Sequence, residues 1–319
     1  MTALRELTTI RIGGEPAELV TAHSRDELIA AARSVWATGA NWLVLGGGSN
    51  VVAADDLSEW QVIQVANAGI EELGAGLIRV GAGENWDSLV EFAISRGLGG
   101  FESLSGIPGL VGAAPIQNIG AYGSEIAQTL VHLEFLDYET GEVYLLSNEE
   151  CEFGYRDSVF KSDRRGVVTS VEFLLETDCD AEALQRRRAE VLALRAAKGM
   201  VLNEADLDTH GCGSFFVNPI VSERVSRTIP LDAPRWESKH DDGLTVKLSA
   251  AWLIEHSGIE RGFKLAGSRA AISGKHTLAI TNRGGASAGE VLQLATYVQT
   301  RVANTFGINL TPEPTLVGL

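Results

Sequence analysis

Leu28, Ala31, Ala32 and Val35 recur at the spacing that lines up one face of a helix, and Gly39 follows as a stop. Ser24, with Glu27 three residues on, has the pattern of a capping box and sets the start of that helix. Before it, residues 8–14 (Thr-Thr-Ile-Arg-Ile-Gly-Gly) read as a strand running into a turn, and after it Trp42-Leu43-Val44-Leu45 reads as a short buried strand. A β-α-β unit is therefore expected early in the chain, closed by the glycine-rich turn at 46–50. From Val62 the pattern shifts to short strands and tight turns. Residues 77–80 form a strand turning at Gly81-Ala82-Gly83, and Trp86, Leu89, Val90 and Ala93 make an apolar helical stripe that closes at Gly97. A stripe of that kind is a core face.

Residues 131–138 and 141–145 predict a hairpin turning through Glu139-Thr140-Gly141, and 167–175 a further strand. Residues 180–197 predict a charged, amphipathic helix stopped by Gly199. The loop-like stretch 200–213 marks a domain boundary. Beyond it, residues 247–255 carry a helical pattern. Ser287 and Glu290 form a second capping box, opening a helix whose apolar face (Val291, Leu294, Ala295, Val298, Val302, Phe306) runs to Gly307. No internal repeat or low-complexity segment occurs. Glycine turns, short strands and interspersed helices predict an α+β fold rather than a doubly wound parallel sheet.

Composition narrows the function. With 319 residues two or three domains are expected, and 45% hydrophobic content is ample for a sizeable core. The formal charge of −16 argues against a nucleic-acid binder, and any anionic ligand must be held by local Lys and Arg. Cys151, Cys179 and Cys212 lack CxxC or zinc-ligand spacing and read as reduced thiols in a cytoplasmic protein. No run approaches the ~20 apolar residues of a membrane span. GxSxG, HExxH, GxGxxG and Walker patterns do not occur, so no hydrolase, metal or Rossmann reading has support.

Two glycine-rich stretches carry the chemistry. Residues 105–123 hold Gly106, Gly109, Gly112, Gly120 and Gly123, two prolines and almost no charge, with Gln117 and Asn118 as their only amides. Such a run suits a bound ring needing a few placed hydrogen bonds, and equally a buried interdomain loop. Gly46-Gly47-Gly48-Ser49-Asn50, directly after a strand, is the kind of turn whose successive amides hold a phosphate. Together they point to a dinucleotide held outside a Rossmann fold.

These two stretches, together with Gly154-Tyr155-Arg156-Asp157-Ser158, Gly213-Ser214-Phe215-Phe216-Val217-Asn218-Pro219 and Pro312-Glu313, occur in an order and spacing that resembles the UDP-N-acetylenolpyruvoylglucosamine reductase (MurB) family over nearly the whole chain. The resemblance implies an FAD-binding fold of the vanillyl-alcohol-oxidase/PCMH type plus a C-terminal α+β substrate-binding domain. It implies residues 1–64 (with 315–319) and 65–203 (with 307–314) as FAD-binding parts, and 204–306 as the substrate-binding part. Non-covalent FAD would contact Gly46, Gly47, Gly48, Ser49, Asn50, Gly106, Ile107, Pro108, Gly109, Gly112, Ala113, Gln117, Asn118, Gly120, Ala121 and Gly123. NADPH is the implied co-substrate, and a UDP-sugar the implied small-molecule partner.

In that family the arginine matching Arg156 holds the substrate carboxylate, the serine matching Ser214 protonates the carbanionic carbon, and the glutamate matching Glu313 works beside the arginine. Tyr122, Tyr155, Lys198, Asn218, Lys247 and His276 match substrate contacts. Two departures stand out: Val217 replaces a common lysine, and the spacing from Leu175 to Lys198 lacks a tyrosine-bearing lid loop found in one subgroup. The rival readings are an FAD oxidase of a small hydroxy compound on the same fold and a non-catalytic nucleotide-binding module.

Overall fold

A computed structural model describes residues 2–240 and 243–319, which divide into two compact units. One takes Glu15–Gly48 and Leu57–Val201; the other takes Ala3–Gly14, Ser49–Asp56 and Leu202–Leu319. Sequence separates residues 1–64 from 65–203, but most of both stretches clusters as one unit. Residues 307–319, expected to return to those parts, cluster with the second unit, which also takes Ser49–Asp56 of the first stretch. The reason lies in backbone pairing: Thr315–Val317 runs parallel to Val51–Ala53, and the Ala54 N–H donates to the Val317 carbonyl at 2.8 Å.

The first unit has two sheets. Leu57–Val65 lies between Pro16–Ala22 and Asn41–Leu45 in a parallel three-stranded sheet, with the crossover supplied by the helix Arg25–Ala37. The Ser24 hydroxyl caps that helix, accepting from the Glu27 N–H at 3.2 Å. Glu27 in turn accepts from the His23 N–H at 2.8 Å, one residue earlier than a capping box predicts. Leu28, Ile29, Ala32 and Val35 are buried with Ile63 and Val65 of the sheet.

The second sheet is antiparallel, in the order Val143–Ser147, Leu130–Asp137, Gly166–Leu174, Leu77–Gly81, Ile70–Gly74. The expected hairpin is its first pair of strands. The helix Trp86–Ser95, capped by Asn85, buries Trp86, Leu89, Val90, Ala93 and Ile94. Trp86, Phe101 and Phe173 meet edge to face at 5.1–6.1 Å between centroids, each pair adding on the order of 1 kcal/mol beyond area burial. The helix Ala181–Ala197, capped by Asp180, ends before Gly199, whose φ is +68°.

The second unit contains the antiparallel sheet Ile220–Ser222, Gly243–Leu248, Arg235–His240 and the long helix Ala288–Phe306. That helix has the full capping box between Ser287 and Glu290 and ends at Gly307 in the left-handed region, as its sequence predicts. Two expectations fail locally. Residues 247–255 are not one helix, because Lys247 and Leu248 complete a strand and Ser249 then caps the helix Ala250–His256. Residues 8–14 form no strand either. The Thr8 hydroxyl bonds the Ile12 backbone, Arg11 takes φ +58°, and Ile10 and Ile12 drop into the second unit's core.

Candidate cofactor and substrate site

In the first unit a cleft of ≈ 250 Å³ opens beside the glycine-rich elements. Its walls include Gly46, Gly112, Ala113 and Ile116 at the loops, Val44, Val65, Phe135 and Val168 from the strands, and Arg164 and Arg165. The two glycine loops touch. A Cβ built on Gly47 would lie 2.8 Å from Gly109 Cα, and one on Gly112 would lie 2.5 Å from Ala82 Cβ. Only residues without side chains allow that approach. The cleft is apolar with cationic groups at its wall, which suits a flat, anionic group such as a flavin dinucleotide. The residues present fit FAD. Arg164 and Arg165 are the local cations that the acidic chain requires.

Gly106 is gripped on both its backbone groups. Its N–H donates to the Asp87 carboxylate at 2.6 Å, and its carbonyl accepts from Arg195 Nε at 3.1 Å. Arg188, also buried, holds Asp87 through two bonds of 2.7 and 2.8 Å and reaches Glu91 at 2.6 Å. Burial alone would raise the Asp87 carboxyl, but the bonds from Arg188 and from the Gly106 N–H outweigh it and hold it below the usual carboxylate range. Burial pulls the Arg195 guanidinium below its ordinary value. None of Asp87, Arg188 and Arg195 stands out in the sequence, since helical charges usually face solvent.

Asn118 is fully buried in the left-handed conformation, donating to the Gly154 carbonyl at 3.0 Å and accepting from the Ala127 N–H at 3.2 Å. The main chain at 118–120 in turn receives Arg156, whose guanidinium donates to the carbonyls of Gly120 and, at 3.4 Å, of Asn118. Arg156 has φ +54° and lies over the Tyr155 ring at 5.4 Å. The turn that carries it is closed by Gly154 and Asp157 pairing through their backbones. The two motifs thus form one local structure. Tyr122 (φ +52°) sits under the Lys198 ammonium, 5.8 Å from its ring centre. Tyr122, Tyr155, Arg156 and Lys198 all belong to this unit. Leu175, where a lid loop is absent, leads within a few residues into the helix Ala181–Ala197.

In the second unit the Ser214 segment pairs with the Glu313 segment. The Glu313 N–H donates to the Phe215 carbonyl at 2.9 Å, the Val217 N–H donates to the Thr311 carbonyl at 3.0 Å, and Phe216 bridges Pro312. Ser214 and Glu313, 99 positions apart by number, therefore neighbour one backbone ladder. Asn50 joins them, donating its amide to the Glu313 carbonyl at 3.2 Å and accepting the Thr315 N–H at 2.9 Å. The Asn218 side chain accepts from the Ala250 N–H at 2.9 Å and so fixes the start of that helix. Lys247 lies between Ile220 and Trp236 in the sheet. His276 stands in a turn whose backbone N–H groups, with that of Lys275, bond the Ser273 hydroxyl. The same turn offers the Leu278 carbonyl to the Phe215 N–H at 2.7 Å.

Burial pushes the thiols of Cys151 and Cys212 up to about 12. Cys212, although close to Ser214 in sequence, is therefore an inert neighbour rather than a nucleophile. No helix among the described residues is long and apolar enough to cross a membrane.

A parallel sheet and an antiparallel sheet in one unit, with a glycine-walled cleft, define a flavin-binding class outside the Rossmann type. Residues 16–147 match the family model described as FAD binding domain, and FAD is the cofactor. Residues 205–317 match that described as UDP-N-acetylenolpyruvoylglucosamine reductase, C-terminal domain. The UDP-N-acetylenolpyruvoylglucosamine reductase of Leifsonia xyli is 48% identical, covering 99% of this chain and 98% of its own length. That of Mycobacterium sp. (strain MCS) is 45% identical, covering 99% and 95%. The crystal structure of UDP-N-acetylenolpyruvylglucosamine reductase (MurB) from Thermus caldophilus superposes with a TM-score of 0.75 at 30% identity, over 99% of this chain and 97% of that one. The chain belongs to the UDP-N-acetylenolpyruvoylglucosamine reductase family.

Proposed function

We infer that this chain is a flavin-dependent UDP-N-acetylmuramate dehydrogenase. It reduces UDP-N-acetylglucosamine enolpyruvate to UDP-N-acetylmuramate in peptidoglycan precursor synthesis, with NADPH as reductant. The observation that carries the assignment is near-complete coverage by named reductases together with a cleft that fits the cofactor. FAD, when bound, would supply the hydride-transfer chemistry that links NADPH to the vinyl methylene carbon of the substrate.

The chain's own residues bind, orient and protonate. Arg156 is assigned to the substrate carboxylate, and its anchorage on the Asn118 and Gly120 carbonyls supports this by fixing the guanidinium plane. A fixed cation favours the charge that develops as hydride arrives, a term worth several kcal/mol in comparable sites. Ser214 is assigned as the proton donor to the carbon next to the carboxylate. A serine is a weak acid, so its role depends on a strongly basic carbanion and exclusion of water. Glu313, stiffened by Pro312 and Pro314 and by the ladder to Phe215, is assigned to organise the same intermediate.

FAD is assigned to residues 46–50, 106–109, Gly112, Ala113, Gln117, Asn118, Gly120, Ala121 and Gly123, with residues 1–64 and 65–203 serving it and 204–306 serving the substrate. The UDP-sugar is assigned to Tyr122, Tyr155, Lys198, Asn218, Lys247 and His276, with Val217 contributing no charge to the diphosphate. The unbonded state of all three cysteines supports a cytoplasmic setting. Ser214→Ala tests the central role: flavin reduction by NADPH is expected at the wild-type rate while turnover falls by about two to four orders of magnitude. Loss of both steps together removes the role given to Ser214.

A further inference from the structure

The strands Ala270–Ile272 and Ile280–Asn282 pair antiparallel in the second unit, and residues 273–279 form the turn that joins them. That turn carries His276, and its Leu278 carbonyl accepts the N–H of Phe215, the residue after Ser214, at 2.7 Å. Phe215 is thus held through its carbonyl by the Glu313 segment and through its N–H by this turn. The turn's own bonds fix its shape. The buried Ser273 hydroxyl accepts from the N–H groups of Lys275 and His276, and the Ala279 N–H donates to the His276 carbonyl at 3.1 Å. Its place against the Ser214 segment needs a further tie.

Asp208 supplies it. Its buried carboxylate accepts the Gly274 N–H at 2.9 Å and pairs with the Arg283 guanidinium, just past the second strand. A Cβ built on Gly274 would lie 3.3 Å from Asp208 Oδ2, so the carboxylate packs directly against main chain. A buried carboxylate is rare, and a neutral acceptor would satisfy a single N–H as well. What the charge adds is Arg283, and with it a tie across the base of the hairpin. Asp206 pairs with the Lys275 ammonium, and that bond holds its carboxyl below the usual carboxylate range. The chain after Asp208 then follows the same hairpin: the His210 carbonyl accepts the Asn282 N–H at 2.9 Å, and Gly211 bridges Thr281. Ser214 comes three residues later.

We propose that Asp208 is a positioning residue for proton transfer from Ser214. It acts through the Gly274 N–H, the turn and the Leu278 carbonyl, and touches no reacting atom. The inference rests on Ser214 as the proton donor and adds what holds that hydroxyl to the carbon it protonates. A hydroxyl of ordinary acidity relies on geometry, and a misplacement of about 1 Å costs about a hundredfold in rate.

The test measures flavin reduction by NADPH and, separately, kcat per bound flavin at saturating sugar nucleotide. Saturation removes any change in binding through His276, and counting bound flavin removes unfolded protein from the rate. Asp208→Ala is expected to leave flavin reduction at the wild-type rate and to lower kcat by about ten- to a hundredfold. The solvent deuterium isotope effect on kcat should rise, because a slowed proton transfer then limits turnover. Asp208→Asn keeps an acceptor for the Gly274 N–H but loses the charge that holds Arg283, so its kcat should fall between the two. In the Ser214→Ala background, Asp208→Ala should lower kcat by no more than about twofold further, since the aspartate acts through the serine. Wild-type kcat in Asp208→Ala, equal slowing of flavin reduction, an unchanged isotope effect, or full additivity with Ser214→Ala overturns the proposal. If Ser214→Ala itself turns over at the wild-type rate, the role given to Ser214 fails and the proposal with it. If Ser214→Ala is slow and Asp208→Ala is not, the proposal fails alone.

Discussion

Gly47→Ala is a change of one methyl group where two loops meet. The added Cβ would lie 2.8 Å from Gly109 Cα and 3.3 Å from its carbonyl carbon, both main-chain atoms that cannot swing aside. Overpacking of this kind costs about 1–3 kcal/mol. Replacing glycine also removes freedom from the unfolded chain, which returns about 0.4–1 kcal/mol where φ permits. Gly47 does not occupy a positive φ, so the gain applies and offsets part of the overpacking cost, leaving a net loss of up to about 2.5 kcal/mol. Gly46 supplies the contrast. Its Cβ would meet Ala113 Cβ at 3.5 Å, an ordinary contact, again without positive φ. Gly46→Ala should therefore be neutral or slightly stabilising in the apoprotein. Urea unfolding of the two apo variants, followed by tryptophan fluorescence, reads the difference as a midpoint below the wild type for Gly47→Ala and one at or above it for Gly46→Ala. Equal midpoints, or a higher one for Gly47→Ala, would refute the close approach of the loops.

Arg156→Lys keeps the charge but loses the fork that spans two carbonyls, so kcat should fall by about two to three orders of magnitude with FAD content unchanged; wild-type turnover would contradict the anchoring. Asp87→Asn leaves Arg188 short of its main partner and should cost about 3 kcal/mol at neutral pH. The Asp87 carboxyl is depressed in the fold, so its stabilisation is present above the unfolded value and disappears as pH falls through the folded one. The gap between wild type and Asp87→Asn should accordingly close below about pH 4, and a gap constant with pH would show that the carboxylate is not the stabilising group. A thiol reagent at neutral pH should label Cys179 readily and reach Cys151 and Cys212 only after unfolding, because burial pushes both of these up to about 12. Fast labelling of Cys212 in the folded protein would contradict its burial.

Much of this structure is legible in local sequence, because caps and periodicity act over a few residues. The helices Arg25–Ala37, Trp86–Ser95, Ala181–Ala197 and Ala288–Phe306 all begin at a polar cap, and a glycine follows each soon after its end. The glycine loops are legible too, since only their composition permits main chain to touch main chain. Failures come where the deciding partner is distant. Val246-Lys247-Leu248 fits a strand or the start of a helix, and the pairing with Ile220 and Trp236 decides for the strand. Residues 8–14 have a strand's composition, yet Ile10 and Ile12 are taken by the core of the second unit. The grip on Gly106 was invisible for the same reason. Arg188 and Asp87 are 101 positions apart, and neither residue type is unusual where it stands. The parallel pairing of Thr315–Val317 with Val51–Ala53 has no local signature, and the return of the chain end to residues 1–64 is implied by the family resemblance alone.

The central claim is that the chain reduces an enolpyruvyl UDP-sugar by way of bound FAD. NADPH consumption by the purified, flavin-loaded protein, followed on addition of UDP-N-acetylglucosamine enolpyruvate, tests it most directly. The expected result is steady oxidation of NADPH that requires the sugar nucleotide and yields UDP-N-acetylmuramate in equal amount. Flavin that NADPH reduces but the sugar nucleotide leaves reduced, with no product formed, would contradict it.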